Sequence, residues 1–199
     1  MHLRRSFHLL ALAITVATAG PALAQGDATS QALAVAGSTP QVCALQNGEI
    51  RAGRLENFSG TEGNVLRVVQ FVDQGKLSVL AASAELSFAA VCNFAHQVRL
   101  ESQHNGLWPT DGRMAQGGSG FAYAVPYDAT VAWAETSGRL VTDGKANRVV
   151  ERSFAVNAPY AGDLVLQIDI AKGASNVELN APVIAGDYAD TLRIFLEPR

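Results

Sequence analysis

The sequence predicts an all-β protein built as an antiparallel β-sandwich, on three observations. Apolar and polar residues alternate with period two in several runs, turn-forming residues separate those runs, and after the first 24 residues no stretch has an apolar period of 3.6. The clearest run is Gly162-Asp-Leu-Val-Leu-Gln-Ile-Asp-Ile-Ala171. Leu164, Leu166, Ile168 and Ile170 fall on one face of a strand, with Asp163, Gln167 and Asp169 on the other. Such a strand is half buried.

Residues 1–24 read as an export signal. Arg4 and Arg5 give a positive start, residues 8–20 form a short apolar stretch, and Ala22-Leu23-Ala24 supplies a small-x-small cleavage pattern. The pair Arg4-Arg5 also partly resembles a twin-arginine signal. The apolar stretch is about 13 residues, short of the roughly 20 that span a bilayer. No later segment approaches that length, so no transmembrane segment is expected in the mature chain. Cleavage before Gln25 leaves 175 of the 199 residues, one domain's worth (25–199) with enough length for an apolar core. Hydrophobic residues make up 48% and charged residues 17%, which excludes a disordered chain. The net charge of −3 becomes −5 once Arg4 and Arg5 are removed. A mildly acidic chain without grouped Lys and Arg cannot neutralise phosphates, so a nucleic-acid partner is not expected.

Along the mature chain, strands are expected at 65–72, 76–80, 85–92, 97–103, 121–127, 130–133, 147–156, 162–171 and 188–196. In 85–92, Leu86, Phe88, Ala90 and Cys92 share one face, and in 188–196 Leu192, Ile194 and Leu196 do. Phe121, Tyr123 and Tyr127 alternate with Ala122 and Ala124. Reversals are signalled at Asn47-Gly48, Asn105-Gly106, Asp111-Gly112 and Asp143-Gly144. Residues 46–64 and 104–120 read as long loops, and 78–84 as the one stretch able to make a helical turn.

Two cysteines remain, Cys43 and Cys92. In an oxidising compartment they most simply make one disulfide, two separate buried thiols being the alternative. A reactive redox pair is normally closely spaced, and this one is not.

Candidate chemistry is sparse. Ser119 in Gly118-Ser119-Gly120 lacks the strand and helix that flank a nucleophile elbow. His96 and His104 have no neighbouring ligand pattern, and no closed zinc set exists by spacing. Asp187 and Asp190 are the closest carboxylate candidates for acid/base or calcium chemistry. A turn residue followed by a residue at a strand's entry is the simpler reading of them. Trp108 and Trp133 are candidates for a sugar platform, with core packing as the plainer role. Neither an enzyme, a cofactor nor a metal is expected.

At the C-terminal end, Ala185-Gly-Asp-Tyr-Ala-Asp-Thr-Leu-Arg-Ile-Phe-Leu196 resembles the end of the spore coat protein U domain, a family that includes pilin-like subunits of archaic chaperone–usher fimbriae. Gly186, Tyr188 and Asp190 match its Gly-x-Tyr-x-Asp pattern. Val35-Ala-Gly-Ser-Thr-Pro-Gln-Val-Cys43 is similar to the family's first strand, residues 87–100 to the strand with the second cysteine and its successor, and 121–128 to its central aromatic strand. The likeness covers most of 34–198. It implies an immunoglobulin-like (pilin-like) sandwich lacking its last strand, with a groove lined on one side by Leu192, Ile194 and Leu196. It also implies partners: a periplasmic chaperone, an outer-membrane usher and neighbouring pilin-like subunits that donate the missing strand. Localisation would be the periplasm, a surface fimbrium or the medium.

This chain departs from the pattern in several places. The Cys43–Cys92 separation is long because 46–64 is enlarged, Pro126 interrupts the aromatic strand, and the chain ends Leu196-Glu-Pro-Arg199. The mature N-terminus offers Ala28, Ser30, Ala32 and Ala34 on one parity and Thr29, Gln31 and Leu33 on the other. Small side chains bury little area, so the expectation is a competent strand acceptor and a poor donor. The second reading is a stand-alone periplasmic β-sandwich binding module that closes its own sandwich and holds a sugar near Trp108 or Trp133. A hydrolase of unrecognised type ranks third.

Overall fold

A computed structural model describes residues 31–46, 49–60, 65–111 and 120–199, with the side chains of 49–54 left aside. The expected export signal and Ser119 lie outside the described residues. Residues 31–38 form a separate unit without regular secondary structure.

All regular structure among the described residues is β. Strands β1 (Cys43–Leu45), β2 (Glu49–Glu56), β5 (Ala82–Cys92), β8 (Asp128–Trp133), β9 (Thr136–Val141) and β11 (Tyr160–Ile170) make the larger sheet, which also includes no parallel pair. Its order is β1-β5-β11-β8-β9, with β2 also on the β5 edge. A second antiparallel sheet has the order β10-β6-β13, from Val150–Val156, His96–Ser102 and Leu192–Pro198. Two small ribbons complete the fold: β3 (Phe58–Ser59) with β4 (Arg67–Val68), and β7 (Trp108–Pro109) with β12 (Tyr188–Ala189).

Alternation decides which face turns inward. Leu164, Leu166 and Ile170 from β11 meet Val98 and Leu100 from β6 and Val156 from β10 in one apolar core, so the two sheets form a sandwich. One flank is closed by contact between β9 and β10. Gly138 lies so near the Phe154 ring that an added Cβ would stand 2.3 Å from it. On the other flank β1 approaches β13. On the outer face Arg99 of β6 locks β13 in place: its guanidinium bonds Glu197 and Glu101, each at 2.6 Å, and lies 3.9 Å over the Phe195 ring. The Arg99 hydrogen bond holds the Glu197 carboxyl below the usual carboxylate range.

Several expectations need correction. Within 46–64, expected to be a loop, residues 49–56 form β2. The register on β5 shifts between Ile50 and Leu55, and that irregularity scrambles the period-two signal. Residues 78–84 make no helical turn. Val79 bridges Val72, and Ala82 and Ala84 open β5 as buried residues whose small size hides the alternation. Residues 121–127 form only isolated bridges, Ala122 to Val183 and Val125 to Leu107. Pro126 has no N–H, and the N–H groups of Tyr123 and Ala124 donate to the Asn176 side-chain oxygen instead of a ladder. Residues 65–80 contribute only β4 and the Val72–Val79 bridge, and 188–196 is split into β12 and β13 by Asp190-Thr191. Strand β9 went unrecognised because Thr136-Ser-Gly-Arg-Leu-Val141 has little apolar contrast.

The closed flank yields a prediction. Gly138→Ala forces the Phe154 ring aside and should cost about 1–3 kcal/mol of stability. In urea titrations Phe154→Ala should absorb most of that cost in a double-mutant cycle, whereas additive effects would show that the two strands do not meet this way.

Candidate functional site

The last strand begins at a carboxylate. Asp190 follows β12 and precedes β13, and its two oxygens accept five hydrogen bonds. One oxygen takes Ser102 Oγ (2.5 Å), the Tyr127 hydroxyl (2.7 Å) and the Gly106 N–H (3.4 Å). The other takes the N–H groups of Thr191 (2.7 Å) and His104 (3.0 Å). Asp190 therefore ties β13 to the turn after β6 and to the start of β8. Asn105, with φ 58°, holds that turn against the chain after β9. Its amide nitrogen donates to Asp143 Oδ1 and its side-chain oxygen accepts from Asp143 N–H. Burial, then the Asp190 charge, pushes the Tyr127 phenol well above the ordinary tyrosine range.

The other residues of the Gly-x-Tyr-x-Asp run stand around it. The Tyr188 hydroxyl donates to the Ile184 carbonyl (2.9 Å) and its ring stacks 5.2 Å from Phe71. Gly186 lines the groove described next. Asp187 is exposed and contributes its carbonyl to Thr110 N–H (2.8 Å), so the proposed carboxylate pair is divided in role.

From this junction a groove of about 1040 Å³ runs between the sheets. Leu192 and Ile194 form its β13 wall, Leu86 and Phe88 of β5 with Leu166 and Ile168 of β11 form its floor, and Leu45 and Gln46 stand at the far end. Leu196 has the same parity as Leu192 and Ile194 but packs on the core beyond the groove lining. One edge of β13 is paired with β6. Among the described residues no strand pairs with its other edge. A row of backbone donors and acceptors thus borders an apolar trough, the arrangement that accepts an added strand.

The Leu45 end of the groove is stapled. Cys43 and Cys92 face each other across β1 and β5 and are joined by a disulfide, Cα to Cα 4.2 Å. Its loop of 49 residues corresponds to about 4 kcal/mol in the chain-entropy account. His96 brings a third ligand-type atom within 4.8 Å of the sulfurs. Its ring is fully buried and both nitrogens are engaged: one meets the Phe94 carbonyl (2.8 Å) and the other accepts from the Trp133 indole N–H (2.7 Å). Bonded sulfurs and a satisfied imidazole make a core cluster. His104 is elsewhere, bonded to Asn147 at 2.9 Å.

Two further sequence candidates are corrected. Trp133 is 1% exposed and Trp108 6%, so neither presents a face to a sugar. Both pack on aromatic neighbours, Trp133 on Tyr160 and Trp108 on Tyr123. Groove residues that sequence reasoning missed are Phe58, Leu66, Val68 and Phe71. Their apolar character was visible, but nothing in the order of residues placed them over a distant sheet. No protein-family model matches the chain, and no curated protein sequence matches it. The likeness to spore coat U domains therefore rests on the residues named above.

The junction has a testable pH signature. A phenol raised in the folded state stabilises fully below the unfolded value near 10 and loses that contribution as pH rises through and beyond it. Urea titrations should show stability falling above about pH 10, with Tyr127→Phe removing part of the slope. Asp190→Asn should cost about 3 kcal/mol at pH 7, because an amide N–H2 would face donors.

Proposed function

We propose that the protein is an exported, pilin-like structural subunit, a component of a surface fibre or adhesive layer, whose groove is completed by a strand from another polypeptide. The observation that carries this reading is the edge of β13, unpaired among the described residues, beside an apolar trough. An incoming strand would pair with the backbone of residues 191–197 and set alternate side chains against Leu192, Ile194 and the β5–β11 floor. Each bulky side chain so buried contributes about 1.5–3 kcal/mol, enough for a few of them to hold a neighbour. A periplasmic chaperone would occupy the groove first and a neighbouring subunit afterwards, with an usher at the outer membrane.

The mature N-terminus supports a position at a fibre end. Ala28, Ser30, Ala32 and Ala34 would bury too little area to anchor in another subunit's groove. The protein then receives a strand without passing one on.

Peptide binding tests the reading. A synthetic 12-residue peptide alternating Val and Thr, capped with Lys for solubility, should bind with a gain of β signal in circular dichroism. Ile194→Asp should weaken that binding by about 30-fold or more, because a carboxylate would be buried against the guest strand. The peptide of residues 25–36 should bind weakly. Failure of the alternating peptide to bind the folded protein would refute the groove's role.

A further inference from the structure

Three segments leave the sandwich at the end where β5 begins and β11 finishes. Ala82 pairs with Ile170 there, and Asp169 pairs with Asp128, whose other partner Val141 closes β9. Residues 73–81, 142–149 and 171–187 therefore emerge together. They are also tied to one another. Val183 N–H donates to the Leu77 carbonyl (2.9 Å) and Gly173 N–H to the Val79 carbonyl (2.8 Å). Gly144 packs so closely on Asn176 that an added Cβ would stand 3.0 Å from the Asn176 Cβ.

Large apolar side chains are exposed on this end although the backbone beneath them is held. Leu77 is 45% exposed and has φ 58°, a left-handed conformation that Gly or Asn adopts at lower cost. The Asp73 carboxylate holds that turn by accepting the Gly75 and Lys76 N–H groups (3.0 and 2.8 Å), and the Leu77 N–H donates to the Asp73 carbonyl (2.7 Å). The next two residues, Ser78 and Val79, are buried. In the segment after β11, Ala174, Ala181 and Val183 are buried at the feet of a loop whose crest exposes Val177 (49%) and Leu179 (72%). The crest is fixed by Val177 N–H on Ser175 Oγ (3.1 Å), Asn180 N–H on the Gly173 carbonyl (2.9 Å) and Ala181 N–H on the Glu178 carbonyl (3.1 Å). A strained backbone that presents a leucine to water points to contact with something outside the molecule.

Charge indicates what that is. The chain has three lysines, Lys76, Lys145 and Lys172, and all three are exposed on these segments, with Arg148 beside them. The acids of the same segments are Asp73, Asp143, Glu178 and Asp187. Asp73 and Asp143 are turned onto N–H groups of their own turns, Asp143 accepting from Lys145 N–H (2.9 Å) and from the Asn105 amide, and Asp187 stands at the groove. Of the four, Glu178 sits on the apolar crest.

We propose that this end of the sandwich docks on an anionic lipid surface, with Leu77, Val177 and Leu179 entering the headgroup layer and Lys76, Lys145 and Lys172 meeting lipid phosphates. Ammonium groups flank single apolar side chains that project from separate loops, the combination that binds a charged bilayer surface. A protein partner would instead need a continuous complementary face of about 800 Å². The attachment is peripheral and involves neither the unpaired edge of β13 nor the trough, so it stands apart from the strand-acceptor reading.

Vesicle sedimentation tests the docking. The exported chain from Gln25 on, free of the apolar stretch of the export signal, is mixed with vesicles of phosphatidylcholine alone or with about one-third phosphatidylglycerol. Binding to the anionic vesicles should be stronger by about tenfold or more and should weaken as salt is raised. Val177→Ser with Leu179→Ser should lower it by about tenfold or more, Lys76→Gln with Lys172→Gln by about tenfold, and Glu178→Gln should strengthen it about threefold. Leu77→Asn, which suits the left-handed turn, should lower it severalfold. Urea titration checks that each variant is folded, which the exposure of these side chains favours. Absence of binding to anionic vesicles overturns the proposal, as does equal binding to neutral ones. Binding that the crest and lysine variants leave unchanged lies elsewhere on the molecule and overturns it too.

Discussion

The position of the last strand depends on one half-buried carboxylate junction. Asp190 gathers donors from the turn after β6, from Tyr127 at the head of β8 and from the first amide of the terminal segment. An ionised carboxylate with that many charge-assisted bonds is a rigid point. β13 starts there and must run antiparallel to β6, with Leu192 and Ile194 turned inward. The motif Gly186-x-Tyr188-x-Asp190 is therefore a positioning device. Tyr188 seats the preceding turn against Phe71, and Asp190 sets where pairing resumes.

Given that start, the shape of the groove follows from unequal sheets. The larger sheet continues past β11 to β5 and its edge partners β1 and β2, while among the described residues the smaller one stops at β13. The opposite flank is sealed by Phe154 lying over Gly138, so the imbalance is expressed on one side only. The disulfide then keeps the short β1 strand on β5 although only three residues pair there. Without it, Leu45 and Gln46 would be held at the groove end by a very short ladder.

How much of this was legible in the sequence depended on apolar contrast. Strands β5, β6, β11 and β13 alternate large apolar with polar residues, and their faces follow from parity alone. Leu192 and Ile194 were placed on the groove by that parity and by a resemblance. Leu196 shares the parity but lies past the end of the trough, a boundary set by tertiary packing. β2 was obscured by its irregular register, and β9 by Gly138, a residue whose value lies in a contact with Phe154 from another sheet. The run 121–127 carried a strand-like pattern, yet Asn176 took two of its amides. Long-range side-chain competition of that kind leaves no local trace. The two tryptophans illustrate the same limit, since nothing nearby in sequence indicates that His96 would accept from Trp133.

The ribbon over the groove links these points. An open trough beside an unpaired edge is a hazard for any β-protein, because it templates pairing with the wrong chain. Cover can come from a second protein or from the chain itself. Here the chain before Cys92 supplies Phe58, Leu66 and Val68 at the trough, and the Asn57 side chain bonds Gln70 and Ala81 at the ribbon's base. Cover through side chains, with no ladder to β13 among the described residues, shades the floor and leaves that backbone edge unpaired there.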